Sequence, residues 1–372
     1  MVDVFEVSDL LVSHAVANYG DDVDLIAYYG SQARGDARPG SDLDLFYTPA
    51  DSKNPPIGRT FLLDGLLFDF WALGWKTLEG FATGAIRGWA FAPALVRQAT
   101  PLYVRSSEQA ARLAALQQQS QELEEPENRA RMQAQAQDSF LLVVERLGSL
   151  RLAAAQGRRT DVTYAGWQLV RSVWECLALT NQVTFGRGLQ RALAEMEKLT
   201  SRPANLAELI NTISTSPDVD RILQAADELT SATHRVLRDR EPARPAKQSI
   251  QAQFDQVYPE MKDIMRKLLT ACAGGDRIAA SLEAYNLQND VTSMLDDTQS
   301  GPARRRFTPY GAYAAAYGQA GFPNLIALSS GSLDNLADSA RRFDKRLRSW
   351  LGDHGVGLCE FATIEELRGA LP

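Results

Sequence analysis

The chain has 372 residues, 45% of them hydrophobic and 23% charged, enough to build more than one buried core and unlike a disordered or fibrous chain. Its formal net charge of -7 works against sequence-independent nucleic-acid binding, which needs clustered Lys and Arg to displace counterions. Cys176, Cys272 and Cys359 are too few and too scattered for a disulfide framework or a CxxC metal site, and His14, His234 and His354 stand alone.

At the start, "MVDVFEVSDL" carries acid where a signal peptide carries base, and nowhere does an apolar run approach the roughly 20 residues of a membrane helix. A cytoplasmic protein without a membrane partner is the expectation. Residues 7–18 place Leu10, Leu11, Val12, Ala15 and Val16 toward one helical face, with Ser8 as N-cap. "LIAYYG" (25–30) and "LDLFYT" (43–48) read as short strands flanking a loop with Gly and Pro. "RTFLLDGLLFDFWAL" reads as a hairpin turning at Asp64-Gly65, a dipeptide suited to positive φ, and "TPLYVR" as one more strand.

Residues 1–106 are therefore expected to form an α/β domain, a small mixed sheet with helices. From Ser107 onward Ala, Leu, Gln, Glu and Arg dominate at helical spacing, which predicts a helical domain over 107–240. Trp174 and Leu177 within it are expected in the core. "REPARPAKQS" (240–249) marks the next boundary, and 250–372 reads as an additional C-terminal helical region interrupted by a loop at 296–306, "DDTQSGPARRR". Tyr310, Tyr313 and Tyr317 fall on one stripe if helical, a packing surface inside the subunit or across a homodimer.

The chemistry concentrates in "YYGSQARGDARPGSDLDLFY", residues 28–47. In a strand Asp42 and Asp44 point one way while Leu43 and Leu45 point into the core. Two adjacent carboxylates repel unless a cation joins them, and all-oxygen ligands suit Mg²⁺ or Mn²⁺ bound together with substrate phosphates. Asp69, inside the apolar run "LLFDFWAL", is costly if buried alone, and metal coordination beside Asp42 and Asp44 removes that cost. Gly30-Ser31 at a strand end lets backbone N–H groups and a hydroxyl approach a phosphate, and Arg34, Ser41 and Arg38 offer further donors to a polyphosphate. These parts match two-metal phosphoryl-group chemistry.

Gly30-Ser31, ten intervening residues, Asp42-Leu43-Asp44 and a later intrastrand Asp69 resemble the nucleotidyltransferase superfamily that shares the polymerase-β palm. "YGDDVDLIAYYGSQARGDARPGSDLDLF" and "LLFDFWALGWKTLEGF" are similar to the kanamycin (aminoglycoside 4′) nucleotidyltransferase type. The resemblance implies a mixed-sheet catalytic domain in which Asp42, Asp44 and Asp69 hold Mg²⁺, two ions in all, and Gly30 and Ser31 contact a nucleoside triphosphate, ATP by family habit. A hydroxyl of a small acceptor, aminoglycoside-like or another natural product, then attacks the α-phosphorus and pyrophosphate leaves.

The kanamycin-type enzymes carry a glutamate base on an early helix of the helical domain. Here that stretch is "DSFLLVVERLGSLRLA", where Ser149 takes the position and Glu145 lies one turn earlier on the same face; Asp138, Glu175 and Arg151 are other polar candidates. Glu145 is the candidate base, with an exposed helix residue as an equal alternative role and attack without any dedicated base as a third reading. Two rival readings stay open: nucleotidylation of a protein or RNA acceptor, as in minimal nucleotidyltransferases paired with toxins, and a non-catalytic nucleotide sensor or scaffold. A template-directed polymerase lacks its basic, aromatic-rich track.

Overall fold

Asp3 starts the first helix, α1 (Val4–Tyr19), by accepting the Phe5 N–H at 2.9 Å, so the helix begins a turn earlier than its apolar spacing predicts. Ser8, expected as the cap, is buried inside that helix and donates to the Phe5 carbonyl, and Leu10, expected on the buried face, is 69% exposed. The structure is a computed structural model that describes residues 2–38, 40–50, 53, 55–86, 91–186, 189–240, 246–302 and 308–370.

Five strands, β1 (Val23–Tyr29), β2 (Leu43–Pro49), β3 (Arg59–Leu63), β4 (Leu66–Ala72) and β5 (Thr100–Val104), form one sheet in the order β3-β4-β2-β1-β5. β1 runs antiparallel to β2 and β5, and β3 to β4, whereas β2 and β4 are parallel, so the sheet is mixed as expected. The β3-β4 hairpin turns at Asp64 (φ 49°) and Gly65 (φ 78°), two successive positive-φ residues that match the twist of the flanking strands.

Period-two alternation sends the sheet's two faces to different partners. Leu43, Leu45, Tyr47, Phe68 and Phe70 share a core with Val7 and Ala15 of α1. Between β1 and β2 the chain makes one helical turn, α2 (Gly30–Arg34), closed by Gly35 at φ 72°. On the other face, Leu25, Ala27 and Phe46 pack with side chains of α3 (Trp75–Ala82), α4 (Ala92–Gln98) and α5 (Ser107–Glu122). Asp24 is buried at this layer, where it accepts the Trp75 indole N–H at 2.8 Å and pairs with Arg105 at 2.6 Å. A buried carboxylate with a cation and a hydrogen-bond donor is the arrangement that makes such burial tolerable.

The helical part of the first unit comprises α6 (Arg129–Ala155), α7 (Arg159–Asn181), α8 (Leu189–Met196), α9 (Leu206–Thr215) and α10 (Val219–Asp239). One core runs through them, with Phe140, Leu169, Trp174, Leu177 and Leu229 buried. This α/β layer followed by helices is the fold class read from the sequence. By its internal contacts the chain divides into two compact units, Met1–Pro242 and Ala243–Pro372. Of the proline-rich stretch expected as a boundary, residues 241–245 lie outside the described residues.

The second unit is helical: α11 (Ile250–Phe254), α12 (Val257–Ala273), α13 (Arg277–Ser300), α14 (Ala315–Gln319), α15 (Leu325–Leu328), α16 (Leu333–Asp353) and α17 (Ile364–Ala370), with its own core around Phe254, Tyr258, Phe343 and Trp350. Residues 296–300, expected in a loop, complete the last turn of α13, while 303–306 lie outside the described residues. The tyrosine stripe does not form on one helix: Tyr310 opens a short 3₁₀ turn and Tyr317 sits in α14. Packing is nonetheless what they do, Tyr317 in the core and Tyr310 taking the amide of buried Gln288 at 2.7 Å.

Candidate active site

Asp42 stands one residue before β2 and Asp44 is its second residue, so both share a face while Leu43 and Leu45 are fully buried on the other. Parallel pairing sets Asp69 of β4 directly beside Asp44, and antiparallel pairing sets Tyr29 of β1 on its other flank. Asp44 therefore feels several charges in a partly desolvated place. Burial first, and then Asp42 and Asp69, push its carboxyl up to about 6, against a smaller opposing pull from Arg34. The Tyr29 hydroxyl is raised as well, by burial and then by Asp44, and it accepts the Trp71 indole N–H at 3.2 Å.

Gly30 cannot be another residue without moving this site. Its φ is 80°, and a Cβ there would lie 2.6 Å from Asp44 Oδ2. Next to it opens a cavity of about 530 Å³ with a polar end formed by Gly30, Ser31, Arg34, Asp42 and Asp44. Tyr29, Trp71, Phe81, Phe91 and Phe185 supply aromatic wall, and Gln98 and Gly186 also line it.

Other residues singled out in the sequence have different surroundings. Asp69 Oδ1 accepts the hydroxyl of Thr60, its cross-strand neighbour on β3, at 2.7 Å. Ser41 shapes the loop: its hydroxyl accepts the Arg38 N–H at 2.8 Å, and its own N–H reaches the Arg38 carbonyl, also at 2.8 Å. Arg34 lines the cavity but gives its nitrogens to Asp36, Gln98 and the Gly186 carbonyl.

Glu145, expected as the base, is not brought to the cavity. Its side chain is 59% exposed and its ion pair is with the adjacent Arg146 at 3.4 Å. Ser149 donates to the Glu145 carbonyl, and Arg151 pairs with Asp227 at 2.5 Å. Asp138 and Glu175 do meet in a smaller cavity of about 200 Å³, lined also by Gln135 and Ser139. Asp138 remains exposed at the rim of that cavity, and Glu175 of α7 is half-buried beside it.

A divalent cation is the group that the sequence asks this site to hold. Among the described residues no group of three or more His, Cys, Asp or Glu stands close enough to hold a metal ion, so Asp42, Asp44 and Asp69 do not form a ready-made cage. The donor set still fits Mg²⁺, which takes one or two carboxylates and fills its other positions with water and substrate phosphate. Burial first, and then the charges of Asp42 and Asp69, raise the Asp44 carboxyl, and a cation bound there would offset both.

Sequence reasoning passed over Tyr29, Phe81, Phe91, Gln98, Phe185 and Gly186 as cavity residues. The aromatic ending of the first strand, "YYG", was a local signal for Tyr29; Phe185 and Gly186 had none, because they come from the helical part of the chain.

With this geometry in view, comparison with known proteins adds a second line. Residues 111–241 match the family described as the KNTase C-terminal domain. That match, directly downstream of the carboxylate-bearing sheet, supports the nucleotidyltransferase superfamily as the class. Among solved structures the chain is similar to a nucleotidyltransferase-like protein from Exiguobacterium sibiricum 255-15, with 14% identity, a TM-score of 0.38, and coverage of 68% of this chain and 87% of that one. No curated protein matches the chain. Among the described residues no helix is long and apolar enough to cross a membrane.

Proposed function

We propose that the chain is a Mg²⁺-dependent nucleotidyltransferase that moves a nucleoside monophosphate, AMP from ATP foremost, onto a hydroxyl of a small aminoglycoside-like or other natural-product acceptor. The observation that carries this reading is the row of carboxylates across β2 and β4, with Asp44 raised to about 6 beside a cavity large enough for a nucleotide. The match of residues 111–241 to the KNTase C-terminal domain family supports nucleotidyl transfer in general.

Asp42 and Asp44 would hold the ion together with the phosphates, and Asp69 would add its charge from the neighbouring strand. An ion held there would supply charge neutralisation for the triphosphate and would make the acceptor hydroxyl more acidic. The chain's own residues do the rest. Gly30, lacking a Cβ, leaves space beside Asp44 for phosphate oxygens, and Ser31 lines the same end with a hydroxyl. Tyr29 keeps its proton and spends its oxygen on Trp71, which fixes that wall. Phe81, Phe91 and Phe185 offer flat apolar surface to a nucleobase and exclude water from the reacting end. The acceptor oxygen bonds to the α-phosphorus as the bond from that phosphorus to the pyrophosphate oxygen breaks, and the hydroxyl proton leaves to solvent.

The test is pyrophosphate release from each of the four NTPs with Mg²⁺, with and without a panel of aminoglycosides and a cell metabolite extract, with Asp42→Asn as the blank. Acceptor-dependent release is expected from the wild type only. Mg²⁺ with NTP is also expected to raise the melting temperature of the wild type more than that of Asp42→Asn. Wild-type rates in Asp42→Asn would end the site assignment. NTP binding without release across the panel would move the reading to a protein or RNA acceptor, or to a sensor.

A further inference from the structure

We propose that the groove between α12 and α16 in the second unit binds a single-chain amphiphilic anion from solution, an alkyl tail with a carboxylate head. The proposal does not depend on the nucleotidyl-transfer reading. The groove encloses about 810 Å³, within the range of small-molecule sites and more than the cavity beside Asp44. Its floor is apolar: Met265 and Ala340 are buried, Leu269 is half-buried, and Pro259 and Ala273 mark the two ends on α12. At 1.5 Å per residue those ends lie roughly 20 Å apart, room for an extended tail.

Charge decides what fits above that floor. Four cations, Lys262, Arg266, Arg341 and Lys345, line the groove with two carboxylates, Asp263 and Asp344, in a chain whose formal net charge is -7. Both carboxylates are already spent. Asp344 takes the Tyr258 hydroxyl at 2.7 Å and the Lys262 ammonium, with Arg348 at 3.7 Å, and Asp263 takes Arg266 at 2.6 Å and Lys267 at 2.8 Å. The two lining cations of α12 are thereby paired, whereas those of α16 keep capacity to spare. Arg341 gives only Nη1, to Asp338 at 2.6 Å, and Lys345 has no carboxylate partner among the described residues. Four residues apart on one helix, Arg341 and Lys345 stand one turn from each other, a spacing that one carboxylate head can bridge. The aliphatic stems of the four cations wall the groove above its floor. A purely apolar ligand leaves the α16 cations unanswered, and an inorganic anion leaves the floor uncovered.

The test is calorimetric titration of the full chain with dodecanoate, below its micelle concentration, and with dodecyltrimethylammonium, which has the same tail and the opposite charge. The wild type is expected to bind the first and not the second. Arg341→Ala and Lys345→Ala, both at exposed positions, are each expected to weaken dodecanoate about tenfold, the size of a lost charged hydrogen bond. Leu269→Asp is expected to abolish binding by placing a charge under the tail. Ala273→Glu, at the exposed end of the floor, is expected to weaken it by a smaller factor and covers the case in which Leu269→Asp does not fold. Equal binding of the two probes, or wild-type affinity in the double variant Arg341→Ala, Lys345→Ala, overturns the site. Failure of the wild type to bind dodecanoate overturns it too; phosphatidylglycerol vesicles that then sediment the chain would make the groove a membrane contact instead. A dimer that Lys345→Glu dissociates would assign the groove to a second copy of the chain and end the proposal as well.

Discussion

At the residue scale the site turns on one carboxyl held in an unfavourable state. Asp44 titrates near 6 in the folded chain against an ordinary 3.8, so the folded state binds its proton more tightly than the unfolded state does. The stability this lends is complete below the unfolded value and is lost as pH rises from about 4 to about 6; above 6 the charged group is a standing cost. Asp44→Asn is therefore expected to stabilise the metal-free protein at pH 7.5 by about 1 kcal/mol, after discounting for partial exposure, and to leave it little changed at pH 4, while nucleotidyl transfer is abolished. Urea unfolding in EDTA at the two pH values checks the first part, and an equal or lower stability of the variant at pH 7.5 would count against the charge row. Asp42 and Asp44 were legible in the sequence because a two-residue period depends only on neighbours. Arg34 was visible as a residue but its protein partners were not, because Gln98 and Gly186 are 64 and 152 positions away. Glu145 illustrates the same limit from the other side: helical spacing gives a face without saying what that face meets.

At the element scale the β3-β4 hairpin delivers Asp69. Its turn was readable from Asp64-Gly65, and so was the separation of Phe68 and Phe70 from Asp69 along β4. The parallel alignment of β4 with β2 was not readable, since no short turn joins them and a ladder leaves little trace in either strand alone. Nor was the helical turn at residues 30–34, where a loop was expected, because five residues are too few to show periodicity. Gly65 at φ 78° occupies backbone space that an L side chain enters at a cost. Gly65→Ala is expected to destabilise the first unit by about 1 kcal/mol, read from a shifted urea midpoint at unchanged slope. No shift would mean that the turn does not hold the hairpin in register.

At the scale of the whole molecule, the two compact units have separate cores, and the division followed from packing more than from composition, since α12 and α16 read much like the helices before residue 240. Phe343 is fully buried in the second core, 5.1 Å from the Phe322 ring. Phe343→Ala is expected to cost that unit about 3–5 kcal/mol while the thermal transition of the first unit stays in place, which scanning calorimetry resolves. A single transition shifting as one would show that the two cores melt together. The pairing of Asp44 with Asp69 also says how such a chain can drift over generations. The connection from β2 to β3 can lengthen or shorten, because it carries no phase. One residue inserted between Phe68 and Trp71 exchanges every side chain beyond it between the two faces of the sheet. Relatives of this chain should therefore show any number of residues between the second and third aspartates, with an unbroken odd-even rhythm around each.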